Sequence, residues 1–150
     1  VSFGKHKAKL DDKDKKLIKY LIKHKHTSTL EHCFVTFRIK VPLFVRSQHH
    51  RHRTWSYNEI SRRYTDFDIQ FYEPEAFRTQ HKSNRQASNA GEYTEYYASA
   101  NLNNILKFID LRTHEGAQWE IQEMAKGMLK IVEKLYPVTV GAYNDVRGND

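Results

Sequence analysis

The sequence predicts an α+β domain in which a small antiparallel sheet is packed with helices. Three observations carry that expectation. Cys33, Val35, Phe37, Ile39 and Val41 alternate with Thr36, Arg38 and Lys40, the period of a half-buried strand. Three stretches instead recur at helical spacing: Leu17, Ile18, Leu21 and Ile22; Leu102, Ile105, Leu106 and Ile109; and Ile121, Met124, Met128, Val132 and Leu135. No P-loop, dinucleotide glycine fingerprint or internal repeat points to a doubly wound or repeat architecture.

The chain of 150 residues is read as a single domain, residues 1–150. That length buries roughly 70% of the unfolded surface. Lys and Arg number 25 against 18 Asp and Glu, a net charge of +7. Such an excess suits an anionic partner: nucleic acid, a membrane surface or a phosphate-bearing small molecule. A lone cysteine, Cys33, excludes an internal disulfide framework and fits a reducing compartment. The longest wholly apolar run, Val41 to Val45, is far too short to span a membrane. No charged-then-apolar leader opens the sequence, so a cytoplasmic location is expected.

In chain order, charged Lys5–Lys16 is a solvated loop leading into a helix over Lys13–His24, whose lysines form the wet face. His24, His26 and His32 follow, with Glu31 adjacent, but no cysteine or carboxylate set completes a metal site, and none is expected. On the strand Cys33–Val41, Cys33 faces the apolar side, where a thiol packs inertly and is poorly placed to act as a nucleophile. Pro42 ends that strand. Leu43–Arg53 reads as a helix with Phe44, Gln48 and Arg51 along one face. Thr65–Glu73, with Ile69, Phe71 and Tyr72, reads as a second strand stopped by Pro74. Thr79–Tyr93 is polar throughout, either a cover over a substrate or the mark of an interrupted chain. Ala98–Arg112 and Gly116–Leu135 read as helices, with Pro137 ending the second and Val138–Asp150 a polar tail.

The chemistry concentrates in Arg51–Tyr64. Four arginines and a histidine share this stretch with Ser56, Ser61, Asn58 and Glu59. Guanidinium forks grip phosphate or carboxylate by paired hydrogen bonds, and the short polar groups add directional selectivity. A phosphorylated, hydrogen-bonding ligand such as a nucleotide fits. Ser56 and Glu59 also satisfy a capping box, S-x-x-E, which would give both a structural role. Ser61 has no His–Asp pair to activate it and serves as a hydrogen-bond donor. A nucleic-acid module would instead use Arg38, Lys40, Arg46, Arg51, Arg53, Arg62 and Arg63 as a basic stripe with Tyr57 and Tyr64 stacking.

The stretch RHRTWSYNEISRRY resembles the flavin-dependent thymidylate synthase signature R-H-R-x-x-S-x-N-E-x-S-x-R-Y, with every fixed position met. HTSTLEH at His26–His32, and NLNNILKFIDLR with AQWEI between Asn101 and Ile121, are similar to the same family. The resemblance implies reductive methylation of dUMP to dTMP. The carbon comes from 5,10-methylenetetrahydrofolate, and FAD reduced by NADPH supplies the hydride, without an enzyme cysteine nucleophile. It implies a homotetramer with active sites at subunit interfaces, and neither nucleic acid nor membrane as partner.

By the same resemblance Ser2, His26, Ser28, Arg51, His52, Arg53, Thr54, Glu59, Asn101, Leu102, Asn103 and Lys107 bind the cofactor. Gln48, His49, His50, Arg51, Glu59, Ile60, Ser61, Arg62, Arg63 and Arg112 bind the nucleotide. Arg112 is the catalytic arginine; on local grounds alone it would serve a helix C-terminus. Asn103 stands where arginine is frequent, and Lys107 where Asn or His is usual. Set beside the family, the chain looks trimmed at its front and is expected to miss a segment near residues 91–94, including an A-R-x-x-L-P run, whether lost from the protein or only from the sequence as given.

Overall fold

The structure is a computed structural model and describes residues 9–61, 63–64, 69–74, 79–80, 85–86 and 91–147. Helix α1 (Asp12–Lys23) and a 3-10 turn (Thr27–His32) lead into strand β1 (Phe34–Pro42), helix α2 (Leu43–His49) and strand β2 (Ser56–Glu59). Short strands β3 (Phe71–Tyr72), β4 (Thr79–Gln80) and β5 (Arg85–Gln86) precede the long strand β6 (Gly91–Asn101). Helices α3 (Leu102–Thr113), α4 (Trp119–Leu135) and α5 (Pro137–Arg147) complete the described chain. The expected class, a small antiparallel sheet with helices, is what forms.

Strand β6 is the hub. It lies between β1 and β2, and β3 pairs with its first residues, all antiparallel; β4 and β5 pair separately. The register sets Phe37 and Tyr57 on either side of Ala98, and Ile39 and Glu59 on either side of Tyr96. Period-two alternation therefore turns Val35, Phe37, Ile39, Tyr96, Ala98 and Ala100 into the core, while Arg38, Tyr97 and Asn58 share the outer face. Against the inner face lie Leu102, Ile105, Leu106, Phe108 and Ile109 of α3, joined by Ile121, Ala125, Met128 and Val132 of α4.

Several elements differ from expectation. β6 falls where the sequence suggested a polar loop running into a helix from Ala98. Alanine favours helices, but Ala98 and Ala100 face the larger Phe37 and Val35 across the ladder, where small side chains fit. The helix starts only at Leu102, because the Asn101 side chain accepts a hydrogen bond from the Asn104 amide at 3.0 Å and fixes the cap. Ser56 and Glu59 form no capping box; they stand at the two ends of β2, on opposite faces of the sheet. α2 stops at His49, four residues short of the expected Arg53. The Tyr57 hydroxyl lies 2.8 Å from the His49 carbonyl and 3.0 Å from that of His52, and donates its proton to this pair. Residues 65–68 of the expected second strand lie outside the described residues; of its described residues, only Phe71–Tyr72 form a strand.

The C-terminal side also departs. Pro137 does not end helical structure but opens α5 at the first position, where its missing N–H is no loss. Val140 and Ala142 are buried, and α5 packs on α1, with Lys19 and Asp145 paired at 2.8 Å. Further ties run to α3, Arg147 to Asp110 at 3.1 Å and to the Thr113 hydroxyl at 2.8 Å with Tyr143 bonded to Asp110, and to α4, where Asn144 donates to Glu133 at 3.1 Å. α4 starts at Trp119, not Gly116, and Leu135 is exposed and not part of its buried stripe. On α1 only Ile22 is buried, and Leu17 remains 46% exposed. Among the described residues no helix is long and apolar enough to cross a membrane.

The cap makes a first prediction. Asn101→Ala should destabilise the domain by about 1 kcal/mol, whereas Asn101→Asp keeps the acceptor and most of the stability. Denaturant midpoints of the two variants check it; equal losses would show that the cap is not what Asn101 contributes.

Candidate functional site

The signature stretch is anchored from beneath. Trp55 is buried, and its ring meets His49 edge-on at 4.6 Å and Phe108 at 5.7 Å. The His52 amide donates to the His49 carbonyl at 3.0 Å, and the Trp55 amide to the His52 carbonyl at 3.4 Å. This tight turn leaves Arg51, Arg53 and Thr54 on the surface.

Arg112 reaches the same place from the last turn of α3. It is half-buried, and its Nε donates to His52 Nε2 at 3.2 Å. Burial, and then the positive charge of Arg51, make its protonated form harder to keep than usual. Neither Arg51 nor Arg112 has a carboxylate partner among the described residues. Two neighbouring guanidinium groups without a counter-charge form a locus for an anion.

Glu59 is engaged from two elements that sequence reasoning did not connect to it. The Arg46 guanidinium of α2 grips it with both ends, Nε to Oε1 at 2.9 Å and Nη2 to Oε2 at 2.8 Å. The Thr94 hydroxyl of β6 donates to Oε1 at 2.6 Å. Burial alone would raise the Glu59 pKa, but hydrogen bonds from Arg46 and Thr94 and the Arg46 charge outweigh it, and the carboxyl is held below its ordinary value. A carboxylate at an inward strand position needs a cation, and that is the signal that could have found Arg46.

Arg46→Met should destabilise the domain at neutral pH by about 2 kcal/mol, the scale of a hydrogen-bonded charge pair. Because the folded pKa of Glu59 is depressed, its contribution is present above the unfolded carboxylate value and is lost as pH falls through the folded one. The gap between wild type and variant should therefore narrow in acid. A pH-independent gap in urea titrations would refute the pairing.

The remaining expected site residues divide. Gln48 Nε2 donates to Gln118 Oε1 at 2.7 Å, tying α2 to the start of α4. His50 lies on the Tyr57 ring at 4.1 Å, its pKa lowered by burial and then by Arg46. Ile60 is exposed, and its amide donates to the Glu95 carbonyl at 3.0 Å. The Ser61 carbonyl accepts from the Tyr64 amide at 3.1 Å, and Arg63 lies 5.8 Å from the Tyr64 ring centre. Ser2 and Arg62 lie outside the described residues.

His49 is a correction. Its side chain is fully buried among Trp55, Tyr57, Tyr96 and Phe108, with Nδ1 2.8 Å from the Tyr96 hydroxyl, so it is a core residue with no surface to offer a nucleotide. The Leu102 side chain is likewise fully buried, and its amide donates to the Cys33 carbonyl at 2.7 Å, which leaves no side-chain contact for a cofactor.

A second group gathers around a cavity of about 420 Å³ between α1, the 3-10 turn, α3 and α5. Asn103 and Lys107 line it with Lys25, Thr27 and Arg147, above a floor that includes Ile22, Leu30 and Leu106. Asn103 is nearly buried and donates to Glu31 Oε1 at 3.3 Å. Thr27 sits between the exposed His26 and Ser28, so the turn bearing them borders this cavity. The described residues contain no group of three His, Cys, Asp or Glu able to hold a metal ion. Cys33 is half-buried against the core.

Comparison with known proteins bears on this geometry. The sequence profile of the thymidylate synthase complementing protein family matches residues 1–92 and 89–138. The chain is 34% identical to the flavin-dependent thymidylate synthase of Thermus thermophilus over 186 aligned positions, covering 97% of this chain and 68% of that protein. It is also 34% identical to the enzyme of the same name from Kosmotoga olearia, covering 95% of this chain and 81% of the other. Among solved structures, the UMP/dUMP methylase PolB of Streptomyces cacaoi, bound with 5-Br UMP, superposes with a TM-score of 0.79 at 27% identity, covering 89% of this chain and 84% of that one.

Proposed function

The chain belongs to the thymidylate synthase complementing protein family, and we propose that it acts as that family's flavin-dependent thymidylate synthases do, as a methyltransferase converting dUMP to dTMP. The observation that carries this is the unneutralised pair Arg51 and Arg112 beside a complete R-H-R-x-x-S-x-N-E-x-S-x-R-Y signature. Such a pair suits a nucleotide monophosphate or a uracil ring that gains negative charge. Arg112, always cationic, holds that developing charge, which activates the ring carbon without a covalent enzyme adduct. Cys33, half-buried against the core between the 3-10 turn and β1, is not positioned to form one.

The donor set also fits FAD, an anionic dinucleotide with an apolar ring. Arg51 and Arg53 stand exposed, and the cavity between α1, the 3-10 turn, α3 and α5 joins an apolar floor to Lys25 and Lys107, with Arg147, paired to Asp110, also in its lining. In our reading His26, Ser28, Asn103 and Lys107 serve the cofactor on that side, and Arg53 and Thr54 on the other, while the His52 ring is turned to Arg112 instead of the cofactor. Ser61 and Arg63 serve the nucleotide, and Glu59 orients the site while Arg46 holds it ionised. When bound, the flavin supplies the reducing equivalents, drawn from NADPH, and 5,10-methylenetetrahydrofolate supplies the carbon.

These two groups of residues lie on different parts of one subunit, which favours a homotetramer whose active sites join residues of several subunits. Phe34, 69% exposed, and the exposed Leu10 and Leu17 are apolar surface that such an assembly would cover. The family match in two pieces meeting at residues 89–92, and alignments of 186 positions against 150 residues, support a segment absent near residues 91–94. A cytoplasmic location accords with the single cysteine.

The test uses the purified full chain. A bound flavin spectrum, its perturbation by dUMP, and dTMP formation with 5,10-methylenetetrahydrofolate and NADPH are expected. A parallel arm with UMP measures selectivity for the deoxyribose. Colourless protein that forms no dTMP when supplied with FAD would refute the proposal.

A further inference from the structure

The contact between His52 and Arg112 fixes the state of the imidazole. Every guanidinium N–H is a donor, so His52 Nε2, 3.2 Å from Arg112 Nε, is the acceptor and carries no proton. The ring is held for this task from several sides. Phe108, one helical turn before Arg112 on α3, meets it edge-on at 4.8 Å, so two residues on one helix face clasp the same imidazole. The His52 amide donates to the His49 carbonyl at 3.0 Å, and the Tyr57 hydroxyl lies 3.0 Å from the His52 carbonyl. Using Nε in this way leaves the four Nη hydrogens of Arg112 for a ligand.

We propose that neutral His52 is a positioning residue for Arg112, accepting its Nε–H so that the rest of the fork is aimed at the substrate. This rests on the reading of Arg112 as the group that stabilises charge on the uracil ring. The titratable and charged groups facing His52 are His49 of α2, Arg112 of α3, the neighbouring Arg51 and the Tyr57 hydroxyl of β2. His49 is neutral in the core, so Arg112 and Arg51 are the cations of this set. Burial and Arg112 both disfavour a proton on His52. In acid, a proton on Nε2 turns the acceptor into a donor and sets a third cation beside the two arginines, which releases Arg112.

The experiment compares His52→Leu, His52→Gln and Arg112→Ala in the full flavin-loaded assembly, reading kcat, dUMP Kd, flavin content and the pH dependence of kcat. The expected result is a fall in kcat of about 100-fold in His52→Leu, the scale of a misplaced catalytic group, with flavin content and dUMP Kd little changed. The glutamine carbonyl can still accept, so His52→Gln should recover most of kcat and lose the acid limb of its pH profile. Loss of flavin or of dUMP affinity in proportion to rate would make His52 a ligand contact and overturn the positioning role. So would unchanged kcat in His52→Leu, or an acid limb that persists in His52→Gln. If Arg112→Ala is inactive while His52→Leu is normal, only the positioning role falls; if Arg112→Ala itself turns over normally, the parent reading falls with it.

Discussion

Arg112→Ala is expected to slow dTMP formation by about 100- to 1000-fold, the range for removing one preorganised donor from a developing charge. Flavin content should stay near normal, and kcat should fall with kcat/KM, because the lost interaction belongs to the transition state. Arg112→Lys should recover only part of the rate, since an ammonium cannot keep one N–H on His52 while offering a planar fork to the ring. The alternative is purely structural. Arg112 lies in the last turn of α3, where a cation favours the helix dipole by about 0.3–1 kcal/mol. That role predicts a small drop in the denaturant midpoint and no specific effect on rate. A variant with near-normal turnover and slightly lower stability would establish the dipole role and remove Arg112 from the chemistry.

What could be read in advance follows from how local the physics is. β1 was legible because Val35, Phe37 and Ile39 alternate with polar neighbours and all three are buried. β2 was not, because its inward positions are Tyr57 and Glu59, and a carboxylate hides the period of two until Arg46 and Thr94 supply its partners from other elements. β6 was hidden by Ala98 and Ala100, whose helix propensity yields to the large residues facing them across the ladder. α5 was hidden because Pro137 looks like a stop, yet it is equally at home at a first helical position. The signature itself is contiguous and could be recognised from spacing alone. Its three-dimensional meaning could not: His52 and Arg112 are sixty residues apart, and nothing in their local patterns says that they touch. Nor does a run of three polar residues, Gln48, His49 and His50, reveal that the middle one is core.

His49 gives the largest expected dependence of stability on pH. Burial first, and then the charges of His52, His50 and Arg112, lower its pKa from 6.5 to about 3. Between these values the unfolded chain binds a proton that the folded chain refuses, so stability rises with pH across that window. Read downward, stability begins to fall near pH 6.5 and the loss saturates near the folded value. A displacement of that size corresponds to about 5 kcal/mol, a large part of what a domain of this length possesses. The pKa values of His50 and His52 are also lowered, and Glu59 is held below its ordinary value, so all three add to the slope in the same direction. A substitution therefore isolates the contribution of His49. His49→Gln can still hydrogen-bond the Tyr96 hydroxyl but cannot titrate, so its urea-unfolding free energy, although lower at pH 8, should fall less steeply than wild type between pH 6.5 and 4. Parallel slopes would mean that the folded protein admits the proton, which an imidazole enclosed by Trp55, Tyr57, Tyr96 and Phe108 has no solvent to accommodate.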